Sequence, residues 1–201
     1  PVILYDARKE AVEVICGQGP APAGATIAHY RSLDLDLVPG TGLLATCIPG
    51  AFDTWMVMLR HYGTMRPRDV MEAAIGYARN GYPLVERIPA TIRTVEALFR
   101  DHWPSSAAVY LPGGQVPRPG DLFTNVKLAE TYERILRECE GGTREDEIAR
   151  ARFAWSQGFV AEAIDRYCRT EAVFDVTGRH HRGVLTGEDM AGRKATVEAP
   201  I

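Results

Sequence analysis

The chain has 201 residues, 23 basic and 26 acidic side chains giving a formal net charge of −3, and a hydrophobic content of 46 %. That length buries a core in one domain, or in one domain with a satellite. The balanced, interspersed charge argues against a nucleic-acid stripe or polybasic membrane anchor, and no apolar run approaches the roughly 20 residues that span a bilayer.

The chain opens Pro1-Val2-Ile3 with no initiator Met, inside a strand pattern, as a fragment or a processed product would. Val2-Ile3-Leu4-Tyr5-Asp6 and Val12-Glu13-Val14-Ile15-Cys16 are β-rich runs that read as a hairpin. A Gly/Pro loop, residues 17–26, follows, then a short helix over 27–33. After Gly40-Thr41-Gly42 comes a second apolar run, 43–48.

From Gly50 the apolar period changes from two to 3.6. Phe52, Trp55, Met56 and Leu59 define one face of a helix, with Trp55 and Met56 read as ordinary core. Pro67 suits the first turn of the next helix, whose buried stripe is expected at Val70, Ala74, Tyr77 and Ala78. Gly81 and Pro83 end it. Ile88, Ile92, Val95 and Leu98 mark a third helix. Residues 103–124 are so rich in Pro and Gly that an ordered loop is expected there, docked by Val109-Tyr110-Leu111 and Leu122-Phe123.

Asn125 is an expected N-cap for a helix carrying Leu128, Tyr132, Ile135 and Cys139. Thr143 and Asp146 approximate a capping box, opening a helix with Ile148, Ala151 and Trp155. Gly158 breaks that helix from the next. Residues 173–176 suit a strand, Thr186 caps a short helix, and residues 194–201 run extended.

Four cysteines, Cys16, Cys47, Cys139 and Cys168, lack C-x-x-C spacing and read as small buried thiols, which favours a reducing, cytoplasmic setting. Gly17 and Gly19 after a strand, with Asp34 and Asp36 downstream, raise a dinucleotide site at Gly17–Gly24 as a rival reading. Pro20 and Pro22 count against it, because they delete N–H groups that a pyrophosphate needs. His180-His181 has no ligand partner at a suitable spacing and reads as a solvated turn. The run over 144–152 reads as a solvated helix face.

In order, Ile48-Pro49-Gly50, His61-Tyr62-Gly63, Ala73-Ala74-Ile75 and Ala78-Arg79-Asn80-Gly81-Tyr82-Pro83 resemble the large-subunit region of the γ-glutamyltranspeptidase family. Pro119-Gly120-Asp121, Leu128-Ala129-Glu130-Thr131, Gly158 to Ile164 and Gly183-Val184-Leu185-Thr186 continue the match. The resemblance implies an α+β, mostly helical fold. A helical lobe over 49–190 would be flanked by strands of an αββα sandwich, with 1–48 supplying the strand pair and Gly/Pro loop and 191–201 an extended return strand.

It also implies an N-terminal nucleophile hydrolase, a self-cleaving proenzyme whose freed Thr attacks an amide and forms an acyl-enzyme. That Thr lies beyond the matched segment, so no catalytic residue is expected in this chain, which alone would be inactive. The implied partners are the small-subunit segment of the same precursor and a small-molecule amide, with no nucleic acid, membrane, metal or organic cofactor. Relatives of this kind are often periplasmic or secreted.

The expected substrate-binding residues are Gln18 and Gly19. Aligning Ala21-Pro22 with the family's "RE-x-AP" loop places Gln18 where the family has the Arg that binds the γ-glutamyl α-carboxylate, and Gly19 at the Glu. Gln offers a hydrogen bond but no charged fork, which puts the γ-glutamyl substrate itself in question. Amidases of the cephalosporin-acylase and oxamate-amidohydrolase kinds belong to the same family. A non-catalytic helical interaction domain is the other alternative.

Overall fold

The computed structural model describes residues 1–200. It comprises two compact units, one formed by 1–67 with 138–201 and the other by 68–137.

The first unit begins with strands β1 (Val2–Asp6) and β2 (Ala11–Cys16), paired antiparallel from Val2 opposite Ile15 to Asp6 opposite Ala11. The turn is held by the Lys9 N–H bonding the Asp6 carbonyl, and by the Arg8 N–H bonding the Asp6 carboxylate at 2.9 Å. Ile15 is fully buried, whereas Ile3 and Tyr5 are 73 % and 62 % exposed. Alternation puts those two on one face with Val12, so the hairpin leaves an apolar face in solvent.

Helix α1 (Ile27–Ser32) is capped by the Thr26 hydroxyl, which accepts the His29 N–H at 3.1 Å. Its Tyr30 is buried against Leu35 and Leu44 and donates its hydroxyl to the Leu44 carbonyl at 2.9 Å. Residues 43–48 form a 3-10 turn, Leu43–Ala45, and then extended chain. Helix α2 (Ala51–Tyr62) buries Phe52, Met56 and Leu59 as its period predicts, but Trp55 stays 50 % exposed and is not core.

The second unit carries α3 (Pro67–Asn80), with Pro67 opening it and Gly81 ending it in the left-handed region, φ +96°. The stripe that α3 buries is Met71, Ile75 and Ala78; Val70 and Tyr77 face solvent. The chain continues through β3 (Tyr82–Pro83), α4 (Arg87–Thr94) and α5 (Glu96–Asp101). One helix was expected where α4 and α5 lie. The Thr91 and Thr94 hydroxyls bond back to the carbonyls of Arg87 and Thr91, and Val95 turns out of helical geometry between them.

The Pro/Gly segment holds a seven-residue helix, α6 (Pro104–Tyr110), where only a loop was expected. Pro104 sits in its first turn, where the missing N–H costs nothing. Leu111 docks as expected, as does Phe123 of β4 (Leu122–Phe123), while Leu122 remains exposed. Strand β4 pairs antiparallel with β3. Helix α7 (Val126–Cys139) is capped by Asn125, which accepts the Leu128 N–H at 3.1 Å.

Returning to the first unit, α8 (Arg144–Ser156) opens with a complete Thr143–Asp146 capping box. Gly158 separates it from α9 (Phe159–Thr170). The two-residue strands β5 (Val173–Phe174) and β6 (His180–His181) pair antiparallel. Helix α10 (Gly187–Gly192) carries a second capping box, Thr186 with Asp189. Strand β7 (Thr196–Glu198) then pairs with β2, giving the sheet order β1-β2-β7. Ile201 of the expected return strand lies outside the described residues.

Phe52 stacks on Trp155 at 4.8 Å, and the Trp155 indole donates to the Pro49 carbonyl at 3.1 Å, joining α2 to α8. Ile48, Ala161, Cys168, Leu185 and Met190 form the core beneath them.

Candidate functional site

The loop that leaves β2 is pressed backbone to backbone onto the segment entering α2. A Cβ on Gly17 would fall 1.4 Å from the Thr54 hydroxyl, and one on Gly19 would fall 1.7 Å from the Ile48 carbonyl oxygen. The Ile48 N–H donates to the Pro20 carbonyl at 3.1 Å. Only glycine permits this approach, so both positions are constrained by packing whatever else they do.

Gln18 is exposed and Gly19 half-buried. The Gln18 carbonyl accepts the Arg193 guanidinium at 2.9 Å, and the same group reaches the Cys16 carbonyl at 3.1 Å. Arg193 thus staples the loop from α10's end. Farther along, the Ala23 N–H donates to Asp189 at 2.9 Å. Burial pushes the Asp189 carboxyl up, but its bonds from the Ala23 and Thr186 N–H groups and the Thr186 hydroxyl outweigh that and hold it below the ordinary value.

A cleft of about 590 Å³ lies between this loop and α10, lined by Pro20, Ala21, Gly24, Val184, Glu188 and Arg193 among others. The two expected residues therefore sit one and two positions before the loop residues that line it. Arg193 lies on both, touching the cleft with its side chain and Gln18 with its donors.

Two further polar clusters were not legible from spacing. Asp53, buried at the start of α2, takes Arg152 at 2.6 and 3.2 Å and the Ala195 N–H at 2.6 Å, which ties α2, α8 and the approach to β7 together. The second cluster corrects the reading of His180-His181 as a solvated turn. Adjacent strand residues do point opposite ways, leaving His180 exposed. His181, however, is buried, with Nδ1 at 2.6 Å from the Asp175 carboxylate. Burial pushes the Asp175 carboxyl up; bonds from Thr177 and His181 prevail and leave it lowered. Asp175-Val176-Thr177-Gly178 is a legible turn sequence, but it leaves open which of the two histidines faces the core.

Four of the internal threonines, Thr26, Thr41, Thr131 and Thr186, are committed to structure. Thr26 and Thr186 cap helices, Thr41 accepts the Val176 N–H at 3.0 Å, and Thr131 donates to the Lys127 carbonyl at 2.8 Å. Among the described residues no group of three or more His, Cys, Asp or Glu is placed to hold a metal ion, and no helix is long and apolar enough to cross a membrane. The dinucleotide reading fails on topology: β2 lies between two antiparallel neighbours rather than in a parallel βαβ unit.

A mostly helical α+β chain, with a strand pair at one end and a return strand at the other, has the architecture of a piece of an N-terminal nucleophile hydrolase. It is similar to the crystal structure of the Helicobacter pylori gamma-glutamyltranspeptidase, with a TM-score of 0.78 and 23 % identity over all of this chain and 52 % of that one. Residues 2–201 match the family model for Gamma-glutamyltranspeptidase, and the chain belongs to that family. The structure of LmbA2991HD is nearer, at 50 % identity and a TM-score of 0.93 over 99 % of this chain and 34 % of that one. The Bacillus subtilis glutathione hydrolase-like YwrD proenzyme is 28 % identical over 149 residues, 73 % of this chain and 28 % of the relative. The chain therefore spans less than a third of that relative's length.

Proposed function

We propose that this chain is the large-subunit portion of a γ-glutamyltranspeptidase-like amidohydrolase or acyltransferase. The observation that carries the reading is the family match over residues 2–201, end to end. In it, a Thr carried by polypeptide beyond these residues attacks an amide carbonyl through its hydroxyl, and its own α-amine takes the hydroxyl proton. The leaving amine departs with a proton, and water or a second amine then takes the acyl group. The structural engagement of Thr26, Thr41, Thr131 and Thr186 in helix caps, a loop and a helix interior is consistent with a nucleophile outside these residues.

In this reading residues 1–48 and 191–201 contribute sheet and substrate loop, residues 49–190 form the helical lobe, and the small-subunit segment covers the apolar face at Ile3, Tyr5 and Val12. Gln18 and Gly19 adjoin the acyl site, just ahead of the loop residues that line the cleft. With Gln at 18, the site favours amides whose acyl group lacks an α-carboxylate.

The test is expression of the full-length protein that carries this chain, followed by mass spectrometry and assay with γ-glutamyl and simple acyl anilides. Self-cleavage to a Thr-headed fragment, with anilide hydrolysis lost on replacing that Thr by Ala, is expected. A single uncleaved polypeptide without amidase activity overturns the reading.

A further inference from the structure

The unit of residues 68–137 contains a slot of about 440 Å³ that the proposed amide chemistry does not use. Its lining mixes aromatic and aliphatic side chains. Phe99 stacks on Tyr110 at 5.6 Å, Tyr110 stacks on Phe123 at 5.9 Å, and Tyr82 meets Phe123 edge-on at 6.0 Å. Ile88 and Ile92 of α4 also line the slot.

Arg87 is the one charged residue in the lining. Arg87 is solvent-exposed at the mouth of the slot, whereas Arg79 of the same unit bonds Glu133 at 2.7 Å and Arg100 bonds Glu96 at 2.6 Å. Among the described residues no carboxylate lies within ion-pair distance of Arg87. Near-parallel rings beside a slot of ligand size offer π-faces to a flat group. An unpaired guanidinium at its rim offers a planar fork to a carboxylate.

We propose that this slot binds a small aromatic carboxylate, its ring against Tyr110 and Phe123 and its carboxylate on Arg87. The unpaired cation distinguishes this occupant from a neutral apolar one: in a slot otherwise without charge, an anion gains a partner and a cation meets repulsion.

The test uses the full-length protein and isothermal titration with 2-naphthoate, 2-naphthylmethanol and 2-naphthylmethylamine. Binding of naphthoate is expected with Kd on the order of 0.1–1 mM, with the alcohol weaker and the amine weakest. Arg87→Ala should weaken naphthoate about tenfold, the loss of one charge-assisted contact, and leave the alcohol unchanged. Thr91→Tyr, at an exposed lining position of α4, should close the slot to both. An unchanged far-ultraviolet spectrum checks that each variant is folded. The proposal is overturned if naphthoate does not bind, as when another segment of the polypeptide fills the slot. Equal affinity for all three probes overturns it too, as does naphthoate binding indifferent to Arg87→Ala or to Thr91→Tyr.

Discussion

Gln18 shows how a backbone can be fixed while its side chain is left open to change. Arg193 holds its carbonyl, Gly17 and Gly19 press the loop onto its neighbours, and the side chain is exposed. Gln18→Arg therefore changes the chemistry at that position without moving the loop. In the full-length enzyme it should raise the preference for γ-glutamyl over simple amides by about 5- to 30-fold, equivalent to roughly 1–2 kcal/mol for a charge-assisted bond over a neutral one. The ratio of the two kcat/KM values measures this, and an unchanged ratio makes Gln18 structural. Asp175 supports a second prediction. Its folded pKa lies below the ordinary 3.8, so its stabilisation is complete above that value and is lost as pH falls through the lowered one. Asp175→Asn should cost about 1–3 kcal/mol at neutral pH by putting a neutral amide where a buried carboxylate accepts from Thr177 and pairs with His181 Nδ1, and urea melts of the variant should depend less steeply on pH below about 4.

At the scale of elements, the entry to α2 is the tightest junction. A Cβ on Gly50 would lie 2.0 Å from the Gly17 carbonyl oxygen, a backbone atom that cannot rotate away. Gly50→Ala should cost about 3 kcal/mol in a urea melt despite alanine's better helix propensity, because overpacking outweighs it. Local signals served well where a few adjacent residues decide the outcome, as at the Asn125, Thr143 and Thr186 caps and at the Gly81 and Gly158 stops. They failed where two faces were equally apolar. In α3 the stripe through Val70 and Tyr77 and the stripe through Met71 and Ile75 differ by one residue, and only the neighbouring elements select the second. At α4–α5 a continuous apolar period concealed the turn at Val95, which leaves helical geometry at φ −116° and ψ 9°.

At the scale of the molecule, the hairpin exposes Ile3, Tyr5 and Val12 on one face. An apolar sheet face of this kind favours association. The 201-residue chain expressed alone should sediment as oligomers or precipitate, and Ile3→Lys with Tyr5→Lys should shift it toward monomer. Sedimentation velocity distinguishes the cases, and a monomeric parent chain would contradict the idea that this face is meant to be covered.

The amino-acid order alone determined the hairpin, most helix ends and the family, because capping, turn formation and strand alternation are settled within a few residues of chain. Tertiary structure alone decided that Arg193 grips Gln18, that Asp53 anchors Arg152 and Ala195, and that His181 is buried on Asp175. The first two contacts join residues roughly a hundred or more positions apart, and the third needs one hairpin register. Such pairings depend on where the folded chain returns, and no local period encodes that.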